Sequence, residues 1–215
     1  MTRGRRQLII GTAVAAGTPV LVYFLPLFHV VPLRQDGPRR AGAAFDPVAY
    51  VDRFWAERLI PGAARAVDAA ELVAAVQEDR ESARWKHGRS VGLGGVYTYF
   101  VKGTGRVVSV EKDAVSLALD DGQSQVQVSL QAGNIFGNAV RDGTGLLNVN
   151  DFLNSQDFNA LSSELNRRIE QQVLPELRKR GEAGTTLRFV GCAEIMDEDT
   201  DLHPLRIVPF IVAAP

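Results

Sequence analysis

A chain of 215 residues with 46% apolar and 23% charged residues can bury a sizeable core, which excludes global disorder. Lys plus Arg number 24 against 25 Asp plus Glu, and a net charge of -1 provides no field that would gather nucleic acid. The single cysteine, Cys192, excludes an internal disulfide and any multi-cysteine metal cluster. It lies in the strand-like stretch RFVGCAEI and reads as a small core residue.

The chain starts with the basic MTRGRR, and from Leu8 to Leu33 it carries no Asp, Glu, Lys or Arg. That run exceeds the roughly 20 residues that cross a bilayer core. It is also longer than the roughly 7–15 residue apolar centre of a cleaved signal. Residues 1–33 are therefore expected to form a cytoplasmic tail and one transmembrane helix. Arg3, Arg5 and Arg6 favour an N-terminus inside, although Arg34, Arg39 and Arg40 on the far side dilute that signal. The expected location is the cytoplasmic membrane, single-pass, with the C-terminal domain periplasmic. Residues 34–44, RQDGPRRAGAA, read as a polar linker, and 45–215 as one exported α+β domain.

Within that domain, 45–90 is expected to be helical. FDPVAYVDRFWAERLIP starts a helix with Asp46 as cap and Pro47 in the first turn, and Val48, Val51, Trp55 and Leu59 fall on one face. AVDAAELVAAVQEDRESARWKHG reads as one second helix, with Asp68 and Glu71 spaced as a capping box and Gly88 as its stop. Residues 91–215 are expected to form a barrel with an inserted long helix. YTYFVKGTGRVVSVEK, AVSLALD and SQVQVSLQ read as strands, the last two as a hairpin around DDGQ. Gly103 and Gly105 are expected to mark a bulge or bend. SQDFNALSSELNRRIEQQVLPELRKRG is a long helix with an apolar stripe of Phe158, Leu161, Leu165, Ile169 and Val173, and Pro175 should kink or end it early. TTLRFVGCAEI and LRIVPFIVAAP are two further strands around the acidic DEDTD, which reads as a solvated turn. Periodicity supports α+β. Five short strands with one long helix inserted late suggest a small, partly closed β-barrel of the oligonucleotide/oligosaccharide-binding (OB) type, with packed helices.

No catalytic signature emerges. His29, His87 and His203 form no metal-ligand pair, Cys192 has no readable His partner, and the glycines of GLGGV and KGTGR match no phosphate loop. No cofactor and no metal are expected. In DEDTD the alternating acids resemble a calcium loop, but Leu202 and Val208 stand where that loop needs Gly and Glu. The remaining candidate is GNIFGNAVRDGTG, residues 133–145, with Asn134, Asn138, Arg141 and Asp142. Its glycines and asparagines suit a bend. Arg141 and Asp142 are adjacent and so cannot face each other along a helix, which leaves backbone groups or a ligand as partners. Asn154 and Gln156, at the start of the long helix, are expected to share that polar network.

The segments FDPVAYVDRFWAERLIP, AVDAAELVAAVQED, GLGGVYTYFVKGTGRV and GNAVRDGTGLLNVNDFLNSQDFNALSSELNRR, in this order, resemble a bacterial family of predicted periplasmic lipoproteins, domain of unknown function 2291. The most specific element is Gly137, Ala139, Arg141 and Asp142, followed by Phe152, Asn154 and Gln156. The resemblance implies an OB-related barrel, export, and an accessory role to sugar-type ABC importers, beside whose genes members often occur. It implies no activity. Many members carry a lipobox cysteine, and here none follows the apolar run. The expected function is that of a non-enzymatic, membrane-anchored envelope protein touching an importer permease or its substrate-binding protein. An oligonucleotide/oligosaccharide-binding module is the alternative, and a hydrolase using a carboxylate pair a more distant one.

Overall fold

Asp46 and Asp68 start the first two helices as their sequence positions dictate. The computed structural model describes residues 45–90, 95–119 and 125–215. The expected tail, anchor and linker (1–44) and the DDGQ turn lie outside the described residues. Asp46 Oδ1 accepts from the amides of Val48 (3.0 Å) and Ala49 (3.1 Å) and opens α1 (Pro47–Phe54). The helix continues through a π-helical turn (Trp55–Leu59) into Ile60–Gly62. The extra residue of that turn moves the buried face from Val51 and Phe54 to Leu59, while Val48 stays 46% exposed. Val48 therefore does not join the face expected of it.

Asp68 Oδ1 caps α2 (Ala69–Glu78) through the amides of Ala70 and Glu71. The expected single second helix is in fact two. Asp79 turns to extended backbone (φ -155°, ψ 105°), and its carboxylate accepts from the amides of Glu81 and Ser82 and from Ser82 Oγ. It thus caps a new helix, α3 (Arg80–His87), a use of Asp that competes with continuing the old one.

Two short strands that period-two patterning cannot register, β1 (Val67–Asp68) and β2 (Gly88–Ser90), pair with β3 (Tyr97–Val110), β1 parallel and β2 antiparallel. Along Tyr97 to Arg106, β3 pairs antiparallel with β6 (Thr186–Ile195). From Arg106 to Val110 it pairs with β4 (Ala114–Ala118), across an irregularity between Val107 and Ser109. β4 pairs with β5 (Val128–Gln131), β5 runs parallel to β7 (Leu205–Ala213), and β7 pairs antiparallel with β6. The pairing path β3–β4–β5–β7–β6 thus returns to β3. The irregularity falls after Gly103 and Gly105, which sit in regular register with Phe189 and Leu187. Gly103 serves close packing instead, since a Cβ there would lie 2.9 Å from Ala69 Cβ and 3.0 Å from Phe189 Cζ.

Between β5 and β6 the chain forms α4 (Ala139–Gly143), α5 (Ser155–Arg168), a π-helical turn (Ile169–Val173) and α6 (Leu174–Arg180). Pro175 does not end the long helix early. It sits in the first turn of α6, where its missing amide costs little, directly after the wider turn. Ile169, Val173 and Leu177 consequently stay buried on one line. α7 (Glu198–Asp201) is a single helical turn between β6 and β7. α1 packs on α5, α2 on β3, and α4 against β3 and β6. Residues Phe45–Pro215 form one compact unit with a contiguous core that includes Tyr99, Leu117, Leu130, Leu165, Phe189 and Phe210.

Gly191 tests the β6–β7 junction. A Cβ there would stand 2.4 Å from Val208 O and 2.5 Å from Ile207 Cγ2. Gly191→Ala is expected to destabilise by at least about 1–3 kcal/mol, the usual cost of overpacking. Asp79→Ala, which removes one helix cap, should cost about 1 kcal/mol. Urea unfolding of both variants checks the order, and an unchanged Gly191→Ala midpoint would contradict the described pairing.

Candidate functional site

The Gly-rich segment leaves β5 and is tied to the long helix by a line of polar side chains at every fourth position. Glu170 Oε1 accepts from the Ile135 amide at 2.7 Å. Asn166 Nδ2 donates to Gly137 O at 3.0 Å. Ser162 Oγ shares its proton between Asn138 Oδ1 (2.7 Å) and Gly137 O (3.2 Å). Gly137 has φ +84°, in the left-handed region that suits glycine. The bend is therefore stitched to the long helix through one backbone carbonyl, one backbone amide and one side-chain amide.

Arg141 and Asp142 follow in α4. They do pair with each other, contrary to the expectation drawn from their adjacency. α4 is too short to hold the side chains apart, and the long guanidinium folds back around it. Arg141 Nε donates to Asp142 Oδ1 at 2.7 Å and Nη2 to Oδ2 at 2.9 Å, with side-chain exposures of 8% and 12%. Arg141 Nη1 donates to Asn159 Oδ1 at 3.1 Å, and the guanidinium lies 4.1 Å from the Phe158 ring centroid. Phe158 passes the stack to Phe152 (5.0 Å), which meets Tyr50 (5.5 Å) and Phe45 (5.8 Å). One buried ion pair thereby joins α4, α5 and α1.

The other candidates do not join this pair. Asn154 caps α5, with Oδ1 accepting from the Asp157 amide at 2.8 Å and Nδ2 donating to Asp157 Oδ2 at 2.9 Å. Gln156 is exposed, and so is Asn134, whose carbonyl accepts from Gln131 Nε2. The partners that sequence reasoning missed are Asn159, Ser162, Asn166 and Glu170. Their spacing along α5 and the π-helical turn that continues it, beside the apolar stripe, was the available signal.

Glu194 of β6 was also missed. It stands opposite Thr98 in the β3 register, and its Oε2 would lie 3.0 Å from a Cβ on Gly137. Burial pushes its carboxyl above the ordinary range, and the nearby charge of Asp142 adds to this, followed by that of Asp201; the Asn138 amide and Arg141 oppose it. Two acids thus converge as a carboxylate-pair hydrolase requires, but both oxygens of Asp142 are taken by Arg141. DEDTD is a single helical turn, exposed at Asp197, Asp199 and Thr200 and buried only at Asp201. Asp197 caps α7, Asp201 Oδ2 accepts from the amides of Met196 and Asp197, Asp199 pairs with Arg80, and Glu198 accepts from the Tyr97 hydroxyl. The four acids diverge. Tyr97 and Tyr99 are buried at 2% and 0% exposure, so neither offers a stacking face.

What stays open is a shallow cleft of about 520 Å³ between residues 135–138 and α5. Phe136, 78% exposed, stands at it beside Asn138, Asn159, Ser163 and Arg167. Its amides and hydroxyls can form hydrogen bonds, and Phe136 can supply an apolar contact.

Removing the guanidinium leaves Asp142 buried without its partner, so Arg141→Ala is expected to cost about 3–5 kcal/mol and lower the melting temperature clearly. An unchanged melt would mean that the pair carries no structural load. For Glu194 the folded pKa lies above the unfolded one, so its contribution is fully present below the unfolded pKa and is lost as pH rises through the folded pKa. At neutral pH the ionised group costs stability. Glu194→Gln should therefore melt higher than the parent at pH 7, and the gap should close in acid. Melting curves across pH check both signs.

A solved structure of an OB-fold protein from Thermotoga maritima is similar to this chain, with a TM-score of 0.70 and 24% identity over 80% of this chain and 100% of that one. At this identity the likeness concerns the fold alone. No curated protein matches the chain. The family model described as "Predicted periplasmic lipoprotein (DUF2291)" matches residues 18–213, which include the Gly-rich bend, the Arg141–Asp142 pair and the closed pairing path, and the chain belongs to that family.

Proposed function

We propose that this is a non-enzymatic, membrane-anchored envelope protein that assists a sugar-type ABC importer by contacting its permease or its substrate-binding protein. The observation that carries this reading is the internal saturation of the Gly-rich segment. Arg141, Asp142, Asn138, Ser162 and Glu170 hold one another or the backbone, and the surface left over is a shallow cleft of mixed polar and apolar lining that includes an exposed Phe136. Such a surface suits contact better than turnover, which needs a reactive group free to meet substrate. Family membership supports an envelope location, and the importer association rests on the family resemblance.

The uncharged run Leu8–Leu33 serves as the anchor in this reading. A lipid anchor needs a cysteine after such a run, and the chain's one cysteine, Cys192, is buried in β6. The pairing order also fits a small, partly closed OB-type barrel. An oligonucleotide-binding role draws less support. In that fold the connection between the last two strands helps bind the oligomer. Here Leu202 of that connection and Leu205 at the start of β7 are buried beside Leu72 and Val76 of α2, and Asp199 of the connection pairs with Arg80.

The test is co-purification of the full chain from detergent-solubilised membranes, with uptake assays in a deletion strain. The expected result is capture of an importer component, lost in Phe136→Asp without a change in melting temperature, and reduced uptake of one sugar on deletion. Absence of capture together with unchanged uptake of every candidate sugar would overturn the reading. Salt-sensitive binding of single strands would replace it with the oligonucleotide-binding one.

A further inference from the structure

Three side-chain amides line the cleft between residues 135–138 and the long helix, and the protein holds each of them at one end only. Asn138 Oδ1 accepts from Ser162 Oγ at 2.7 Å, Asn159 Oδ1 accepts from Arg141 Nη1 at 3.1 Å, and Asn166 Nδ2 donates to Gly137 O at 3.0 Å. Asn138 Nδ2, Asn159 Nδ2 and Asn166 Oδ1 have no partner among the described residues. One internal bond per amide fixes which end is offered, so the donors and the acceptor are set before a ligand arrives. Glu170 repeats the pattern, with Oε1 accepting from the Ile135 amide at 2.7 Å and Oε2 left over. Phe136 lines the same cleft and is 78% exposed. Its backbone is pinned on both sides, through the Ile135 amide and through Gly137 O, so its ring is presented from a fixed bend.

We propose that this cleft binds a neutral saccharide in pyranose form, its C–H face on the Phe136 ring and its hydroxyls on the open ends of Asn138, Asn159, Asn166 and Glu170. The proposal takes from the reading above that this cleft is the working surface, and adds what it binds. Three features of the lining select the ligand. First, Phe136 is the one exposed apolar side chain in it, so the ligand needs one apolar face and not an apolar body. A pyranose has such a face, with C–H groups on the ring and hydroxyls around its rim, and weakly positive C–H groups meet the negative face of an aromatic ring. Second, the guanidinium of Arg167 is taken up by Glu164 and Gln171, which leaves Glu170 without a compensating cation among the described residues. A phosphate or carboxylate on the ligand would meet a like charge there, and a neutral ligand does not. Third, the cleft holds about 520 Å³, within the roughly 300–1,000 Å³ of small-molecule sites.

The test uses the full chain, purified in a detergent without a sugar headgroup, with saturation-transfer difference NMR followed by calorimetry. The probes are the methyl pyranosides of glucose, galactose and mannose, with glucuronate and adenosine for comparison. The expected result is transfer to the C–H protons of at least one glycoside, and none to glucuronate or adenosine. Phe136→Ala should weaken binding about five- to tenfold with the melting temperature unchanged, and Phe136→Tyr should keep the parent affinity. Glu170→Gln, which keeps an acceptor for the Ile135 amide, should let glucuronate bind. No transfer to any glycoside, or binding that Phe136→Ala leaves unchanged, would overturn the proposal. Adenosine binding in place of the glycosides would mean base stacking, and would also overturn it. Capture of an importer component without glycoside binding would overturn this proposal alone and leave the reading above standing. Glycoside binding without capture, and with uptake unchanged on deletion, would overturn that reading and support this proposal.

Discussion

β3 is the strand on which the rest of the described structure depends. Its fourteen residues pair with β1, β2, β4 and β6, and no other strand has so many neighbours. To serve β6 with its first ten residues and β4 with its last, it must change direction. The irregularity between Val107 and Ser109 supplies that change, since an unpaired residue bends a strand and increases its twist. Bare positions at Gly103 and Gly105 let Ala69, Phe189 and the Ala118 carbonyl come close. Packing at the centre of the domain is thus bought with missing side chains.

A second constraint acts at the edge of this circuit. The segment after β5 must turn back toward α5, and its backbone polar groups must find partners as it leaves the sheet. Ser162 and Asn166 of α5 and Glu170 of the π-helical turn that continues it provide them. Arg141 and Asp142 then join α4 to α5 through a bidentate pair lying on Phe158. The planar guanidinium does three things here that an ammonium could not combine: a forked bond to Asp142, a bond to Asn159, and stacking on the ring.

Not every group in this region favours the fold. Glu194 is partly buried among Asp142 and Asp201, and its ionised form is disfavoured. Each of the two neighbouring acids has compensation, Asp142 from Arg141 and Asp201 from two backbone amides. Glu194 has the Asn138 amide and a share of the Arg141 charge, and these do not balance its burial. A carboxylate kept at such a cost is a functional candidate on physical grounds, which distinguishes it from the saturated pair beside it.

The local elements were legible in the sequence. Asp46 and Asp68 cap where their positions said they would, because a cap acts within three residues of itself. The strands from Tyr97, Ala114, Val128, Thr186 and Leu205 lie in stretches of β-type sequence, alternating for those from Ala114 and Val128, and the glycines of residues 133–145 do mark a bend. The tertiary structure alone decided the rest. Pairing of β3 with β6, burial of Tyr97 and Tyr99, and the closing of the pairing path all join residues far apart in the chain. Two local outcomes also escaped the periodicity: Asp79 broke the helix by capping the next one through the amides of Glu81 and Ser82, and Pro175 was accommodated by a wider turn. The pairing of Arg141 with Asp142 was not legible either. Adjacency forbids facing within a long helix, but α4 is five residues long, and only the walls packed around it oblige the guanidinium to fold back.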